Sequence, residues 1–217
     1  MDLLIPLLSL AILVASAILH EVAHGFVAEK LGDPTARLAG RLTLDPRKHI
    51  DPFMSIILPF FLIFSGSPVV FGAAKPVPVD PFNLKEGRKD LALVSLAGPL
   101  TNLMLAVLAS LLIKGVNLFI SSSPSAGQEI IPVLFVLHLI LRLNLLLAIF
   151  NLLPIPPLDG SKIFSLFLPP KEAAAYLSIG SIGIFVIFIL LAFPIGGFSL
   201  GSIIFNLLTF AENLLGV

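Results

Sequence analysis

Long apolar stretches separated by short polar segments dominate the pattern of this 217-residue chain. A helix needs about 20 apolar residues to cross the roughly 30 Å of hydrocarbon in a bilayer. Five stretches meet or approach that length, the last being the shortest: residues 3–28, 91–113, 131–153, 173–193 and 200–215. The pattern predicts an all-α polytopic membrane protein in which each stretch forms one transmembrane helix.

A sixth apolar stretch, residues 52–71, is interrupted by prolines and a glycine. Five lysines and arginines lie between the first full span and this stretch, and four lie between it and the second full span. If the stretch crossed the bilayer, the two basic loops would face opposite sides, against the tendency of basic loops to be cytoplasmic. We therefore predict five to six transmembrane helices and a re-entrant or hairpin segment, which is packed beside the functional site because irregular backbone at membrane depth must be shielded.

Composition supports the membrane assignment. The chain is 57% apolar and 12% charged, with a mean hydropathy of +1.07, whereas soluble domains carry about twice that share of charge. Cysteine is absent, so metal ligands would have to come from His, Asp or Glu. Equal numbers of acidic and basic residues give no argument for a nucleic-acid partner.

The first apolar stretch contains the pentapeptide His20-Glu21-Val22-Ala23-His24. On a helix the two histidines project from one face, where they can bind one Zn²⁺ ion, and Glu21 is placed to act on a water activated by that ion. Three ionisable side chains within five residues are costly at bilayer depth, so such a cluster indicates a functional site. Because the stretch carries this motif and has no basic segment before it, we expect it to be retained rather than cleaved as a signal peptide.

A third ligand is expected from the end of another helix. The sequence NLLPIPPLDG, residues 151–160, closes the third full span with prolines that cannot continue a regular helix. With residues 52–71 re-entrant, the ends of the first and third spans lie on the same side, so Asp159 can join His20 and His24. Two histidines and one carboxylate leave a zinc position open, as in catalytic sites. A plain turn at Asp159-Gly160 is the alternative explanation of that dipeptide.

The ordered motifs resemble those of the site-2 protease family of intramembrane zinc metalloproteases. The resemblance covers residues 12–163 and rests on HEVAH in the first span, on Gly98-Pro99 and Asn102 at the start of the second, and on NLLPIPPLDG at the end of the third. Residues 72–84, GAAKPVPVDPFNL, resemble the stretch between the motifs in compact bacterial and archaeal members.

The resemblance implies specific roles. His20, His24 and Asp159 are expected to bind Zn²⁺, and Glu21 is expected to be the general base. Asn151 is expected to steady the substrate carbonyl or its oxyanion. The implied activity is hydrolysis of peptide bonds within or next to transmembrane segments of other membrane proteins.

The resemblance also sets expectations for organisation and location. We expect one membrane-embedded protease domain over residues 1–217, with a catalytic core at 3–163 and additional helices at 173–215, without a PDZ insertion or a C-terminal nucleotide-sensing domain. The expected location is the cell membrane of a prokaryote, with the active site towards the cytoplasm. The expected partners are a transmembrane protein substrate and the lipid bilayer.

A helical substrate must unwind before attack, and a strand edge could hold it extended. Short alternating runs at residues 38–44 and 77–79 are candidate strands near the active site, although such runs are more often loops. The alternative function is a non-proteolytic metal-binding membrane protein, an adaptor or carrier with the same ligands. Glu21 favours the protease, because metal binding alone does not need a carboxylate beside the first histidine.

The other polar residues are given structural roles. His138 lies in the span before Asp159 but 21 residues away, and His49 lies in a basic loop, so neither is expected at the metal. His49 is expected in solvent or at the lipid headgroups. Asn144 is expected to make an interhelical hydrogen bond, and Gly98 to permit close helix packing.

Overall fold

The computed structural model describes most of the chain, and every regular element in the described part is a helix, which confirms the all-α prediction. The described residues are 3–52, 57, 60–61, 64, 75–122, 127–180, 182–193 and 199–217. The chain divides into two compact units, Met1–Gly98 and Pro99–Val217. The predicted re-entrant segment, residues 52–71, lies largely outside the described residues.

The first unit is built on one long helix, α1, and two short ones, followed by a 3-10 turn at Pro81–Asn83 and the beginning of α4. The helices are α1 (Leu4–Lys30), α2 (Thr35–Leu38), α3 (Pro46–His49) and α4 (Arg88–Ser122). α1 ends before Gly32, whose φ of 114° suits a residue without a Cβ. A small core of Ala28, Leu84 and Val94 joins α1, the segment after the 3-10 turn and α4.

The second unit contains the rest of α4 and five further helices. These are α5 (Gly127–Asn151), α6 (Asp159–Phe164), α7 (Pro170–Leu177), α8 (Ile182–Ala192) and α9 (Leu200–Leu215). One core cluster joins α4, α5 and α9 through Ala109, Leu145 and Leu208, among others. A second cluster joins α8 and α9 through Ile187 and Ile204.

Among the described residues, three helices are long and apolar enough to cross a membrane: Leu4–Lys30, Arg88–Ser122 and Glu129–Asn151. They coincide with the first three predicted spans. The bent pair Pro170–Leu177 and Ile182–Leu191 would make a fourth if the two helices form one span. The fourth predicted span, residues 173–193, is divided between α7 and α8, and α9 has only 16 residues. Large apolar side chains of α4, such as Leu103, Met104 and Leu111, are exposed, which fits a lipid-facing surface. The protein is therefore an integral membrane protein.

The two candidate strands are not strands. Leu38 ends α2, residues 39–44 contain turns and bends, and residues 75–80 have no regular secondary structure. The physical reason is that Pro76 and Pro78 have no N–H to donate to a ladder. In addition, the N–H of Val77 is bound by a side chain rather than by another strand.

The two basic loops of the first unit are tied together by Asp33. Its carboxylate accepts hydrogen bonds from the Asn83 side chain (3.0 Å) and from the backbone N–H of Asp80 (2.7 Å). It also binds the N–H of Thr35, at 3.1 Å. The loop after α1 and the loop before α4 therefore lie side by side.

Candidate metal centre and active site

His20 and His24 meet on one face of α1, as the i, i+4 spacing predicts. Their Nε2 atoms are 3.0 Å apart, and the rings are nearly perpendicular. Both side chains are buried, at 6% and 8% exposure. Two imidazole nitrogens that point at a common position within a buried site form the beginning of a metal centre.

A hydrogen bond to α4 orients His24. Nδ1 of His24 donates to the carbonyl oxygen of Val94, at 2.7 Å. Since a carbonyl can only accept, Nδ1 carries the proton, and Nε2 keeps its lone pair for a metal. The beginning of α4 thus selects the tautomer that a zinc ligand requires.

Gly98, also on α4, leaves space beside both histidines. A Cβ at this position would lie 2.4 Å from Nε2 of His20 and 2.5 Å from Nε2 of His24. No side chain can occupy that space without displacing an imidazole. The small cradle formed in this way lies where an ion bound by both nitrogens would be, so the residues present fit a metal.

Glu21, the next residue of the motif, is held by backbone from another part of the first unit. Its Oε2 accepts a hydrogen bond of 2.7 Å from the N–H of Val77. The side chain is half-buried. A carboxylate that is adjacent to the first histidine in the motif and has one oxygen fixed is suited to receive a proton from water.

Asp159 belongs to the second unit, where it is the first residue of α6. Its side chain is buried at 7% exposure, and its Oδ1 accepts an ion-paired hydrogen bond of 3.1 Å from Nζ of Lys162. The ammonium group favours the charged carboxylate, which is the form that binds metals.

Close backbone contacts define the turn that presents Asp159. A Cβ on Gly160 would lie 2.1 Å from the carbonyl oxygen of Leu152, and one on Gly183 would lie 1.7 Å from that of Pro156. Only glycine fits at either position. The chain after α5 therefore folds back on itself, and the glycine of the LDG sequence makes this fold possible.

Asn151 is the last residue of α5, in the same turn. Its Nδ2 donates to the carbonyl oxygen of Leu147 at 3.0 Å. This bond uses one of its two amide protons, so the other is available for a substrate oxygen.

The structure corrects one of the minor expectations and confirms two. His49 is buried at 1% exposure and bonded through Nε2 to the carbonyl oxygen of Thr43 at 2.7 Å, so it is not solvated as predicted. Gly98 permits close packing of α4 against α1, as predicted, and the α1 side chains that it meets are the two histidine rings. Asn144 makes the predicted interhelical bond, accepting from Nδ2 of Asn102 at 2.9 Å.

Comparison with known proteins identifies the family. The model of peptidase family M50 matches residues 8–194. The chain belongs to this family. It is 38% identical over 188 residues to YwhC of Bacillus subtilis, whose name describes a candidate zinc metalloprotease, and the match covers 87% of this chain and 81% of YwhC. Peptidase family M50 is the site-2 protease family, so the protein is an intramembrane zinc metalloprotease.

A second relative is Rip2 of Mycobacterium tuberculosis H37Rv, also named as a candidate zinc metalloprotease. The two chains are 35% identical over 161 residues, which are 74% of this chain and 57% of Rip2. This chain therefore spans little more than half the length of that relative. A comparison with solved structures finds no match.

Four features of the site were missed at the level of sequence. These are the contacts of Val77 with Glu21 and of Val94 with His24, the cradle at Gly98 and the ion pair of Lys162 with Asp159. Only the last had a local signal, because an i, i+3 pair of opposite charge on a helix is expected to interact. The alternation of proline and valine at residues 76–79 indicated an unusual backbone but not its partner.

Proposed function

We propose that this M50 protease binds its Zn²⁺ through His20, His24 and Asp159 and uses Glu21 as the general base. The observation that carries the proposal is the pair of Nε2 atoms, 3.0 Å apart beside the cradle of Gly98. Asp159 is the third ligand by its chemistry. It is buried, it is paired with a cation, and it is in the LDG motif of the second unit.

Each residue then has a defined task. Zinc, when bound, acts as a Lewis acid that makes water acidic and a carbonyl electrophilic. Glu21 takes the proton of the attacking water and passes it to the nitrogen of the leaving amine. Val94 keeps His24 in the required tautomer, and Lys162 forms an ion pair with Asp159 that fixes the position of its Oδ1. We propose that the substrates are transmembrane proteins cleaved within or beside the bilayer.

Loss of a ligand should lower bound zinc. We expect His20→Ala, His24→Ala and Asp159→Ala each to reduce zinc well below one ion per chain and to abolish activity, because each removes one of three protein ligands. Metal analysis of the purified variants measures this.

The matched control for the ligand variants is His138→Ala. His138 is exposed, and its Nδ1 bonds only to the carbonyl of Leu134 one turn earlier, so zinc content should not change. Tight, stoichiometric zinc in Asp159→Ala would remove Asp159 from the ligand set.

We further propose that Asn151 donates its second amide proton to the developing oxyanion. Asn151→Ala should then reduce turnover by roughly 100- to 1,000-fold, the usual cost of losing one such donor. Zinc content and melting temperature should stay close to those of the unmodified protein. Turnover, zinc and melting temperature are measured on one detergent preparation.

Asn144→Ala serves as the structural comparison for Asn151. Asn144 is fully buried and bonded to Asn102, so its loss should lower the melting temperature, and activity should fall only in proportion. An Asn151→Ala protein that behaves like Asn144→Ala, or that stays within a few-fold of full activity, contradicts the oxyanion role.

We propose that the active site opens to the cytoplasmic side of a prokaryotic cell membrane, and that residues 52–71 re-enter the bilayer. The support is that Asp33 bonds to Asn83 and Asp80, which keeps both basic loops on one side, as the positive-inside tendency requires. Single cysteines at the exposed Leu38 and Phe82 of this cysteine-free chain report the side. Labelling from opposite faces contradicts the proposal.

The non-proteolytic alternative, a metal-dependent adaptor or carrier, is not favoured. A metal-binding function gives no role to the carboxylate of Glu21, which the first unit holds in place through Val77. Membership of a peptidase family also favours the protease over a metal-binding adaptor or carrier.

A further inference from the structure

The segment at residues 75–80 is held by hydrogen bonds at both ends. At its beginning, the N–H of Lys75 donates to the carbonyl of His49 and its own carbonyl accepts from Nη2 of Arg41, each at 2.8 Å. At its end, the N–H of Asp80 donates to Asp33 at 2.7 Å. The segment is thus held between two anchors of the first unit.

Between the anchors, the N–H of Val77 donates to Oε2 of Glu21 at 2.7 Å. The residues on either side are Pro76 and Pro78, which have no N–H. A shift of the segment by one residue in either direction would present a proline to Glu21, and the hydrogen bond would be lost. Because of the two prolines, only the N–H of Val77 can donate to the Glu21 carboxylate at this point of the segment. The hydrogen bond therefore requires one register of the segment against α1.

The side chain of Val77 is fixed as well. It is buried at 6% exposure and packs into a notch over Gly25, one turn of α1 after Glu21. A Cβ on Gly25 would lie 2.8 Å from Cγ1 of Val77, 2.7 Å from Leu42 and 2.9 Å from Ala36. Backbone and side chain of Val77 are therefore both held against the helix that carries the metal motif.

The anchor at Asp33 is a fully buried carboxylate. Burial acts to raise the pKa of Asp33, but hydrogen bonds from Thr35, from Asn83 and from the N–H of Asp80 together leave the pKa below its usual value. The group is therefore ionised at neutral pH, and hydrogen bonds to a charged acceptor are the stronger kind. Asp33 therefore holds the end of the segment through hydrogen bonds to a charged carboxylate.

We propose that Val77 is a positioning residue for catalysis, whose backbone N–H fixes the carboxylate of Glu21 in the orientation needed for proton transfer. The inference rests on the proposed role of Glu21 as general base. A glutamate has three rotatable side-chain bonds, so an untethered carboxylate samples many orientations. With Oε2 held by Val77, Oε1 is directed to the proton of the attacking water. Aligning the carboxylate then contributes less to the activation barrier.

The test replaces the backbone N–H group of residue 77 with an oxygen atom. Incorporation of 2-hydroxyisovaleric acid in place of Val77 converts its amide to an ester, which removes the N–H and keeps the side chain. The matched control is the same replacement at Val79, the next amide of the segment. Turnover number, KM for a transmembrane substrate, zinc content and melting temperature are measured for both proteins.

We expect the ester at residue 77 to lower kcat by about 10- to 100-fold, the range given by loss of a hydrogen bond to a charged group. KM should stay within twofold, and zinc should stay at one ion per chain, because neither substrate binding nor the ligands depend on this N–H. The ester at residue 79 should change kcat by less than twofold. A purely structural role would instead lower zinc or melting temperature together with activity.

Two results overturn the inference. An unchanged kcat in the protein with the residue 77 ester means that Glu21 does not need the hydrogen bond from the segment. A raised kcat in that protein means that the contact restrains the base. If Glu21→Gln remains active, the proposed base itself is wrong. If Glu21→Gln is inactive while the residue 77 ester is fully active, only the positioning role is wrong.

Discussion

Glu21→Gln is expected to abolish cleavage of a transmembrane substrate while zinc stays bound. Glutamine has almost the same shape and can still accept the hydrogen bond from Val77, but it cannot take a proton from water. Loss of a general base costs about 100- to 10,000-fold in rate, so cleavage should fall by at least about 100-fold. Cleavage of a reporter substrate and metal analysis of the same purified protein measure the two effects.

Glu29→Gln provides the control for this substitution. Glu29 is on the same helix, two turns later, and forms an ion pair with Arg37 away from the histidines. The same chemical change there should leave turnover within about twofold, since surface ion pairs contribute little. Full turnover by purified Glu21→Gln would mean that another group is the base.

Gly98→Ala is expected to remove zinc and activity together. The added methyl group would lie 2.4 Å and 2.5 Å from the Nε2 atoms of His20 and His24, closer than real Cβ atoms approach any atom. The rings must turn away, and the two nitrogens no longer converge. Even indirect disturbance of metal ligands lowers affinity by about 10- to 100-fold, so direct displacement should do at least as much. A zinc-competition titration measures the affinity.

Gly115→Ala is the control for this effect, because Gly115 lies on the same helix, α4, with no heavy atom within 4 Å of a Cβ placed on it. It should retain zinc and activity, and alanine at an exposed helical position is intrinsically favoured. Unchanged zinc affinity in Gly98→Ala would show that the metal lies elsewhere than beside the cradle.

The two substitutions separate two functions of the first unit. Glu21→Gln removes the chemistry and keeps the metal, whereas Gly98→Ala removes the metal and keeps the carboxylate. A protein that only bound or carried zinc would lose its function in the second variant and keep it in the first. The pair therefore also tests the protease against the metal-binding alternative.

The sequence by itself determined the membrane helices and the histidine pair. Apolar length decides whether a helix can cross a bilayer, and α1, α4 and α5 follow from that rule. The i, i+4 spacing of His20 and His24 places them on one face of any helix, and the structure places their Nε2 atoms 3.0 Å apart. The order of the HEVAH and LDG motifs was also sufficient to suggest the family.

Apolar length was less informative where the stretches were short or contained glycine. Residues 173–193 were predicted as one span, and the structure bends the chain within it at Gly180, which adopts a positive φ of 48° between α7 and α8. The two helices pass as one span only if that span is broken. The pattern of apolar residues is the same for a straight and for a broken helix, so the pattern could not distinguish them.

Tertiary structure alone decided how the Glu21 carboxylate and the histidines are held. The contacts of Glu21 with Val77 and of His24 with Val94 join residues 56 and 70 positions apart, and no local periodicity encodes such pairs. The prediction for His49 failed for the same reason, because its position in a basic loop suggested a solvated side chain but the fold buries it. Gly98 is the clearest example, because the sequence shows only a permissive backbone position, and the structure shows that a Cβ there would collide with both imidazoles.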